Sequence, residues 1–209
     1  ITAPGRAARA LGPVRSPATR AALRDELARG SSPRTAGLAL CAGSDVPWAE
    51  VLEVVRIARE GGHHELHLAR TDAPDDRVQL AVAPGLGFPD VVGGDGTVPI
   101  AWVRIGRLAA GGREAPATLE VRVVVVDVPI GDVGALPADL DALPWRTAWA
   151  ARADVRGLVE AARRRGERLE HAVLDVPAPL RSRVTFGGVL EVLHGLADAD
   201  LASIAPRDG

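Results

Sequence analysis

A glycine-rich loop that begins at Gly93, in the stretch GGDGTVP, has the residue types of a phosphate-binding loop. Glycines let the backbone approach a phosphate closely, but a preceding parallel strand and a following helix must aim the amides. The residues that follow, VPIAWVRI, have the pattern of a strand instead. A hairpin turn built from Gly and Asp is therefore the simpler interpretation. The phosphate interpretation stays open, and it predicts nucleotide binding that depends on Asp95.

Three histidines lie together in the stretch HHELH: His63, His64 and His67. On a strand, His63 and His67 share a face with Glu65 between them, which is compatible with a metal site. A fourth ligand would have to come from elsewhere, and the sequence nominates none. Surface histidines at the start of a strand are the simpler interpretation.

The other reactive or charged groups also have structural interpretations. Cys41 lies in the apolar stretch LALCAG, which predicts a buried thiol, whereas reactive cysteines are usually partly exposed beside a cation. The arginine run over 162–168, ARRRGER, is predicted to be a solvated helix end that complements the helix dipole. Four aspartates form clusters that lack the spacing of a calcium loop: Asp139, Asp141, Asp198 and Asp200. We therefore predict no catalytic residue, no metal ligand and no cofactor.

The composition narrows the classes of protein to which the chain can belong. Its formal net charge of −2 argues against general nucleic-acid binding and against a polybasic membrane-surface protein. The hydrophobic fraction of 47% is ample for a core, and a single cysteine excludes an internal disulfide. The longest apolar run, over 121–130, is interrupted by charges and falls far short of the ~20 residues that a membrane helix needs. A membrane anchor, if there is one, is expected outside this sequence.

One sequence pattern occurs twice. Residues 44–55 read SDVPWAEVLEVV and residues 182–193 read SRVTFGGVLEVL, at a constant offset of 138 (186 − 48). Apolar residues recur at helical spacing from Trp48 and from Phe186, which predicts two amphipathic helices with equivalent aromatic residues. Ser44 or Asp45 is predicted to cap the first of these helices, with Pro47 in its first turn.

Each copy is predicted to consist of a helix, a strand, a second helix and a second strand. Since the second helix links two strands, the strands are expected to run parallel. Between the copies, the stretches RVQLAVAP, PIAWVRIGRL and TLEVRVVVVDVPI are predicted strands, and a short helix is predicted over 136–143. The valine-rich strand has valines on both faces, so both of its faces are expected to be buried.

These copies resemble the periplasmic domain of the ExbD/TolR family, the small subunits of bacterial proton-driven energy-transducing complexes. The family's order of strand, polar residues, aromatic residue, amphipathic helix and short final strand is similar to residues 38–69 and 172–205. The family usually has one such domain per chain, so this chain would be a tandem pair. The family's membrane helix, with its proton-carrying aspartate, has no counterpart here, and no residue can be assigned to proton conduction.

The resemblance implies an α+β or α/β fold of two ExbD/TolR-like lobes, with mixed sheets and amphipathic helices, joined by a β-rich middle segment. The implied organisation is a linker or arm over 1–17, a first lobe over 18–71, a connecting segment over 72–117 and a second lobe over 118–206.

The resemblance further implies a non-enzymatic periplasmic binding or scaffold domain of a proton-motive-force-coupled transport or envelope-integrity complex, anchored to the inner membrane in the full-length protein. The implied partners are envelope protein subunits or peptidoglycan, with no nucleic acid and with homo-oligomerisation as a possibility. The alternative is a nucleotide- or phosphate-binding enzyme that uses the loop between Gly93 and Thr97.

Overall fold

Two mixed β-sheets with helices packed on them form the described part of the chain, which is an α+β architecture. The computed structural model describes residues 16–29, 38–63, 65–82, 97–108, 119–129, 140–149, 151–163, 169–201 and 203–207. In chain order the elements are α1 (Pro17–Arg29), β1 (Leu38–Ala42), α2 (Trp48–Glu60), β2 (Glu65–Arg70), β3 (Ala73–Ala81), β4 (Thr97–Leu108), β5 (Leu119–Pro129), a 3₁₀ helix (Leu140–Ala142), β6 (Arg146–Trp149), α3 (Arg152–Arg163), β7 (His171–Asp175), α4 (Ala178–Arg181), α5 (Phe186–Ala197) and β8 (Ser203–Pro206).

The first sheet has the strand order β1–β2–β3. β1 and β2 run parallel and are linked by α2, as the predicted strand–helix–strand step requires, and β3 pairs antiparallel with β2. In β2, Leu66 and Leu68 are fully buried whereas Glu65 is exposed, which confirms the predicted alternation.

The amphipathic helix α2 buries the whole predicted apolar stripe, and Val54 and Ile57 beside it. It ends at Glu60, and Gly61 is its C-cap residue. The predicted cap is wrong, because Pro47 occupies the N-cap position and makes no side-chain hydrogen bond.

The second sheet has the order β6–β5–β4–β7–β8. β4 and β5 form a long antiparallel ladder, while β7 runs parallel to both β4 and β8. In β5, Val121 and Val123 face the main core and Val124 and Val126 face a second apolar cluster, so both faces are buried as predicted. The short edge strand β6 was not predicted. The predicted helix over 136–143 is represented by the 3₁₀ helix, and residues 130–139 lie outside the described ranges.

The main hydrophobic core runs through both copies of the repeat. It contains residues of α1, α2, β2 and β3 together with residues of β5, α3, β7 and α5. The buried His194 of α5 has its Nε2 3.4 Å from Asp76 Oδ2 of β3. The segment predicted to connect the lobes, 72–117, supplies β3 to one sheet and β4 to the other. None of the described helices is long and apolar enough to cross a membrane.

Candidate binding face

The two copies of the repeat meet at the starts of α2 and α5, where the residues that precede these helices form an isolated antiparallel β-bridge. On one side, the amide of Trp48 donates to the carbonyl of Val184 at 2.9 Å. On the other side, the amide of Phe186 donates to the carbonyl of Val46 at 2.7 Å. Because both donors and both acceptors are 138 positions apart, exchanging the copies exchanges the two hydrogen bonds. We call this contact the repeat bridge.

No side chain caps α2 because its N-cap residue, Pro47, has no side-chain acceptor, whereas Thr185 at the equivalent position of α5 accepts from the amide of Gly188. The first amides of a helix have no partner within the helix, and a cap normally supplies one. Here the first amide of each helix finds its acceptor in the other copy. Ser44 contributes through its backbone instead, since its carbonyl accepts from the amide of Gly187 at 2.9 Å. The rings of Trp48 and Phe186 are 1% and 0% exposed, at equivalent positions beside the bridge.

The outer face of the five-stranded sheet, which lies away from α3 and α5, changes character along the strands. At one end it is apolar and packs against Leu143 and Trp145. At the other end it carries arginines, tryptophans and carboxylates. We call this end the arginine–tryptophan face, and its members are Trp102, Arg104, Arg107, Glu120, Arg122, Asp141, Trp145, Trp149, Asp175 and Arg207.

Strand register aligns part of this face in a row. Arg104 pairs with Arg122 on the β5 side and with Asp175 on the β7 side. Thr147 continues the row on β6, opposite Arg122. Neighbouring strands lie about 4.8 Å apart, so the row crosses the sheet at nearly a right angle to the strands.

Glu120 is the first of two buried carboxylates on this face, with a side chain that is 5% exposed. It accepts hydrogen bonds from Arg107 and, at 2.8 Å, from Arg122. The hydrogen bond from Arg122 holds the pKa of Glu120 below its usual value of 4.5, and Arg107 acts in the same direction against the effect of burial. A Cβ on Gly106 would lie 2.7 Å from Glu120 Oε1, so glycine makes room for this cluster.

Asp175 is the second buried carboxylate, with a side chain that is 6% exposed. Its Oδ2 lies 2.9 Å from Arg104 Nε and 3.5 Å from Arg207 Nη1. Arg104 also donates through Nη1 to Asp141 Oδ1 at 2.8 Å. Unlike Asp175, the Asp141 side chain is 87% exposed.

Three arginines of the face stack over tryptophan rings. The distance from the guanidinium carbon to the ring centroid is 5.2 Å for Arg104 over Trp145, 5.5 Å for Arg107 over Trp149 and 5.3 Å for Arg207 over Trp102. All three distances are within the range of cation–π attraction. The partner of Arg107 is Trp149 on the edge strand β6, which is 43% exposed and is the only exposed large hydrophobic residue in the described ranges. Trp and Arg are the residue types most enriched at the energetic centres of protein interfaces.

The glycine-rich loop lies almost wholly outside the described residues, including Gly93 and Asp95. Thr97, at its end, is the first residue of β4. The element that follows the loop is therefore a strand, as predicted, and not the helix that a phosphate-binding loop requires.

The three candidate metal ligands are not brought together by the described structure. His63 is buried after α2, His67 is half-buried on β2, and His64 lies outside the described residues. Among the residues that the structure describes, no group of three or more His, Cys, Asp or Glu side chains is placed to hold a metal ion.

The structure also places the other groups that the sequence singled out, which are the cysteine, the arginine run and the four aspartates. Cys41, predicted to be buried, is half-buried on β1 opposite Ala69. Arg163, from the arginine run, donates to the carbonyl oxygens of Leu169, Ala199 and Asp200, and residues 164–168 lie outside the described ranges. Of the four aspartates, Asp198 pairs with Arg152, which lowers the pKa of Asp198.

Sequence reasoning missed the arginine–tryptophan face because its members come from five separated parts of the chain. A weak signal was present in the strand patterns. Trp102 and Arg104 are two residues apart, as are Glu120 and Arg122, and residues at this spacing share one face of a strand. The pairing of β4 with β5 and β7, which joins these groups, has no local signal.

Comparison of the chain with protein-family models, with curated proteins and with solved structures finds no match.

Proposed function

We propose that the chain is a non-enzymatic binding and scaffold domain of a bacterial envelope complex. In this proposal it is a tandem pair of ExbD/TolR-like lobes in the periplasm, within a transport or envelope-integrity complex driven by the proton-motive force. It engages an extended segment of a partner protein, with peptidoglycan as the other candidate partner.

The repeat bridge is the observation that carries the proposal. Two copies with the same order of helix, strand, helix and strand, apart from the short α4 in the second copy, meet through hydrogen bonds between equivalent residues. Such reciprocal contacts are typical of symmetric dimers, in which the same patch of both subunits forms the interface. A tandem pair joined in this way supports a role in which one chain does the work of a dimer.

The edge strand β6 supports binding of an extended segment. An edge strand presents backbone donors and acceptors to which another chain can add a strand. Among the described strands, β6 is paired only with β5, and it carries the exposed ring of Trp149. The residue that opens β6, Arg146, and the exposed Thr147 lie on opposite faces of the sheet, so an added strand would contact both faces.

Site-specific photo-crosslinking in the source bacterium tests the proposal. The photoreactive residue p-benzoylphenylalanine replaces Thr147 on β6 or, as a matched control, the exposed Asp154 on α3. We expect one discrete crosslinked envelope protein, or crosslinked peptidoglycan, from position 147 and none from position 154. Equal labelling from both positions, or none from position 147, would contradict binding at β6.

A thermal-shift screen with ATP, NAD and Mg²⁺ separates the proposal from the nucleotide-enzyme alternative. A ligand present at a hundred times its Kd stabilises a folded protein by about 2.7 kcal/mol, which raises Tm by about 5 °C or more. The proposal expects no shift. A shift that Asp95→Asn abolishes would favour the enzyme instead.

A further inference from the structure

We propose that the arginine–tryptophan face binds an acidic, extended polypeptide segment, and that a carboxylate of this segment takes the place of Asp141 on Arg104. This inference rests on the proposed function, because it specifies the chemistry of the partner. It would make the face, rather than the edge of β6 alone, the site that selects the partner.

The first argument is charge. The face holds four arginines and two buried carboxylates, Glu120 and Asp175, which are already paired. This leaves two positive charges, and Asp141 is the only further acidic residue that the described structure pairs with them. An anionic partner is therefore complementary to the face, although the whole chain has a net charge of −2.

The second argument is the behaviour of Asp141. Its side chain is 87% exposed, and such an ion pair contributes about 0–1 kcal/mol, so an incoming carboxylate can displace it at little cost. Arg104 would stay in position without Asp141. The Nε of Arg104 donates to the buried Asp175, and the guanidinium of Arg104 stacks on Trp145. Asp141 thus marks a position at which Arg104 already binds a carboxylate.

The third argument is shape. The row from Thr147 through Arg122 and Arg104 to Asp175 is continuous across four strands, with Arg207 beyond it. Three strand spacings of about 4.8 Å separate Thr147 from Asp175, so the row is about 14 Å long, and about four or five residues of an extended segment, at about 3.3 Å each, would cover it. The stacked tryptophans supply rigid apolar contact beside the charges, as is typical of interface hot spots.

Fluorescence anisotropy with the full chain tests the inference. The probe is a fluorescein-labelled 12-residue peptide, (Glu-Gly-Glu-Thr)₃, blocked at its C-terminus, and the control peptide has Gln in place of every Glu. We expect saturable binding of the acidic peptide only, weakened as the salt rises from roughly 50 to 500 mM. Absence of binding at about 1 mM peptide would overturn the inference. Equal binding of the Gln peptide would also overturn it, because the face would then not recognise the carboxylates.

Charge variants assign the binding to this face. Asp141→Asn should tighten binding about 3–10-fold, because it removes the internal competitor, and Arg122→Gln should weaken it about 5-fold or more. Asp127→Asn, on the other side of β5, and Arg156→Gln, on α3, carry the same charge changes and should alter the affinity by less than about 2-fold. Since Asp141 is exposed, the Asp141→Asn variant is expected to fold. Unchanged or weaker binding of the acidic peptide by this variant would show that Asp141 does not compete with the peptide for Arg104.

Two further outcomes are decisive. Tighter binding of a 12-nucleotide single-stranded DNA than of the acidic peptide would replace the polypeptide with a nucleic acid and overturn the inference. A discrete crosslink from position 147 without any binding of the acidic peptide would overturn this inference and leave the proposed function standing. If neither the crosslink from position 147 nor binding of the acidic peptide is observed, both this inference and the proposed function are rejected.

Discussion

At the scale of single residues, the pairing of Glu120 with two arginines makes a specific contribution to stability. The pKa of Glu120 is lowered in the folded protein, mainly by the hydrogen bond from Arg122. The folded state therefore favours the carboxylate, and this stabilisation is present above the unfolded pKa near 4.5 and is lost as the pH falls through the folded pKa. We expect Glu120→Gln to lower the free energy of unfolding by about 1–3 kcal/mol at pH 7. The difference from the natural chain should narrow as the pH falls below 4.5.

Urea unfolding at pH 7 and at pH 3.5–4 measures this difference. Glu160→Gln is the matched control, because Glu160 pairs with Arg156 on the exposed side of α3 and should change stability by less than about 0.5 kcal/mol. A difference for Glu120→Gln that is the same at both pH values would show that ionisation of this carboxyl does not stabilise the fold.

At the scale of elements, the repeat bridge requires a close approach between α5 and the residues before α2. A Cβ on Gly187 would lie 2.9 Å from Ser44 Cβ and 3.1 Å from Ser44 O, and the backbone atom has little freedom to give way. We expect Gly187→Ala to destabilise the protein by about 1–3 kcal/mol through steric strain. Gly157→Ala on α3 is the opposite case, since nothing lies within 4 Å of the added Cβ. It should stabilise the protein by up to about 1 kcal/mol through helix propensity.

Thermal unfolding of the two variants, followed by far-UV circular dichroism, provides the comparison. Both changes replace a helical glycine with alanine, so propensity alone gives them the same sign. Stabilisation by Gly187→Ala would mean that the two helix starts are not held at the distance that the bridge requires.

The same elements show how far the sequence alone could lead. Periodicity predicted α1, α2, α3, α5 and most strands, because an amphipathic stripe such as that from Trp48 to Ala58 is a local property. Ser44 and Asp45 were reasonable caps by local chemistry, but the acceptor for the first amide of α2 comes from Val184, which no local rule can nominate. β6 escaped prediction because four residues, RTAW, are too few to show a period. The arginine–tryptophan face depends on strand order and register, which only tertiary pairing fixes.

At the scale of the whole molecule, the continuous core predicts that the two copies unfold together. Leu68 on β2 is fully buried in the core cluster that also contains Val159 and Leu193 of the second copy. Leu68→Ala should reduce the free energy of unfolding by about 2–5 kcal/mol, from lost burial and the cavity that remains. In a Trp48→Phe background, the remaining tryptophans, Trp102, Trp145 and Trp149, all report on the second sheet or on its outer face. The urea midpoint of their fluorescence should then fall by the same amount as the midpoint from circular dichroism, because a cooperative core couples the copies. If the fluorescence midpoint stays unchanged while circular dichroism shows an early transition, the copies are independent folding units and the core does not couple them.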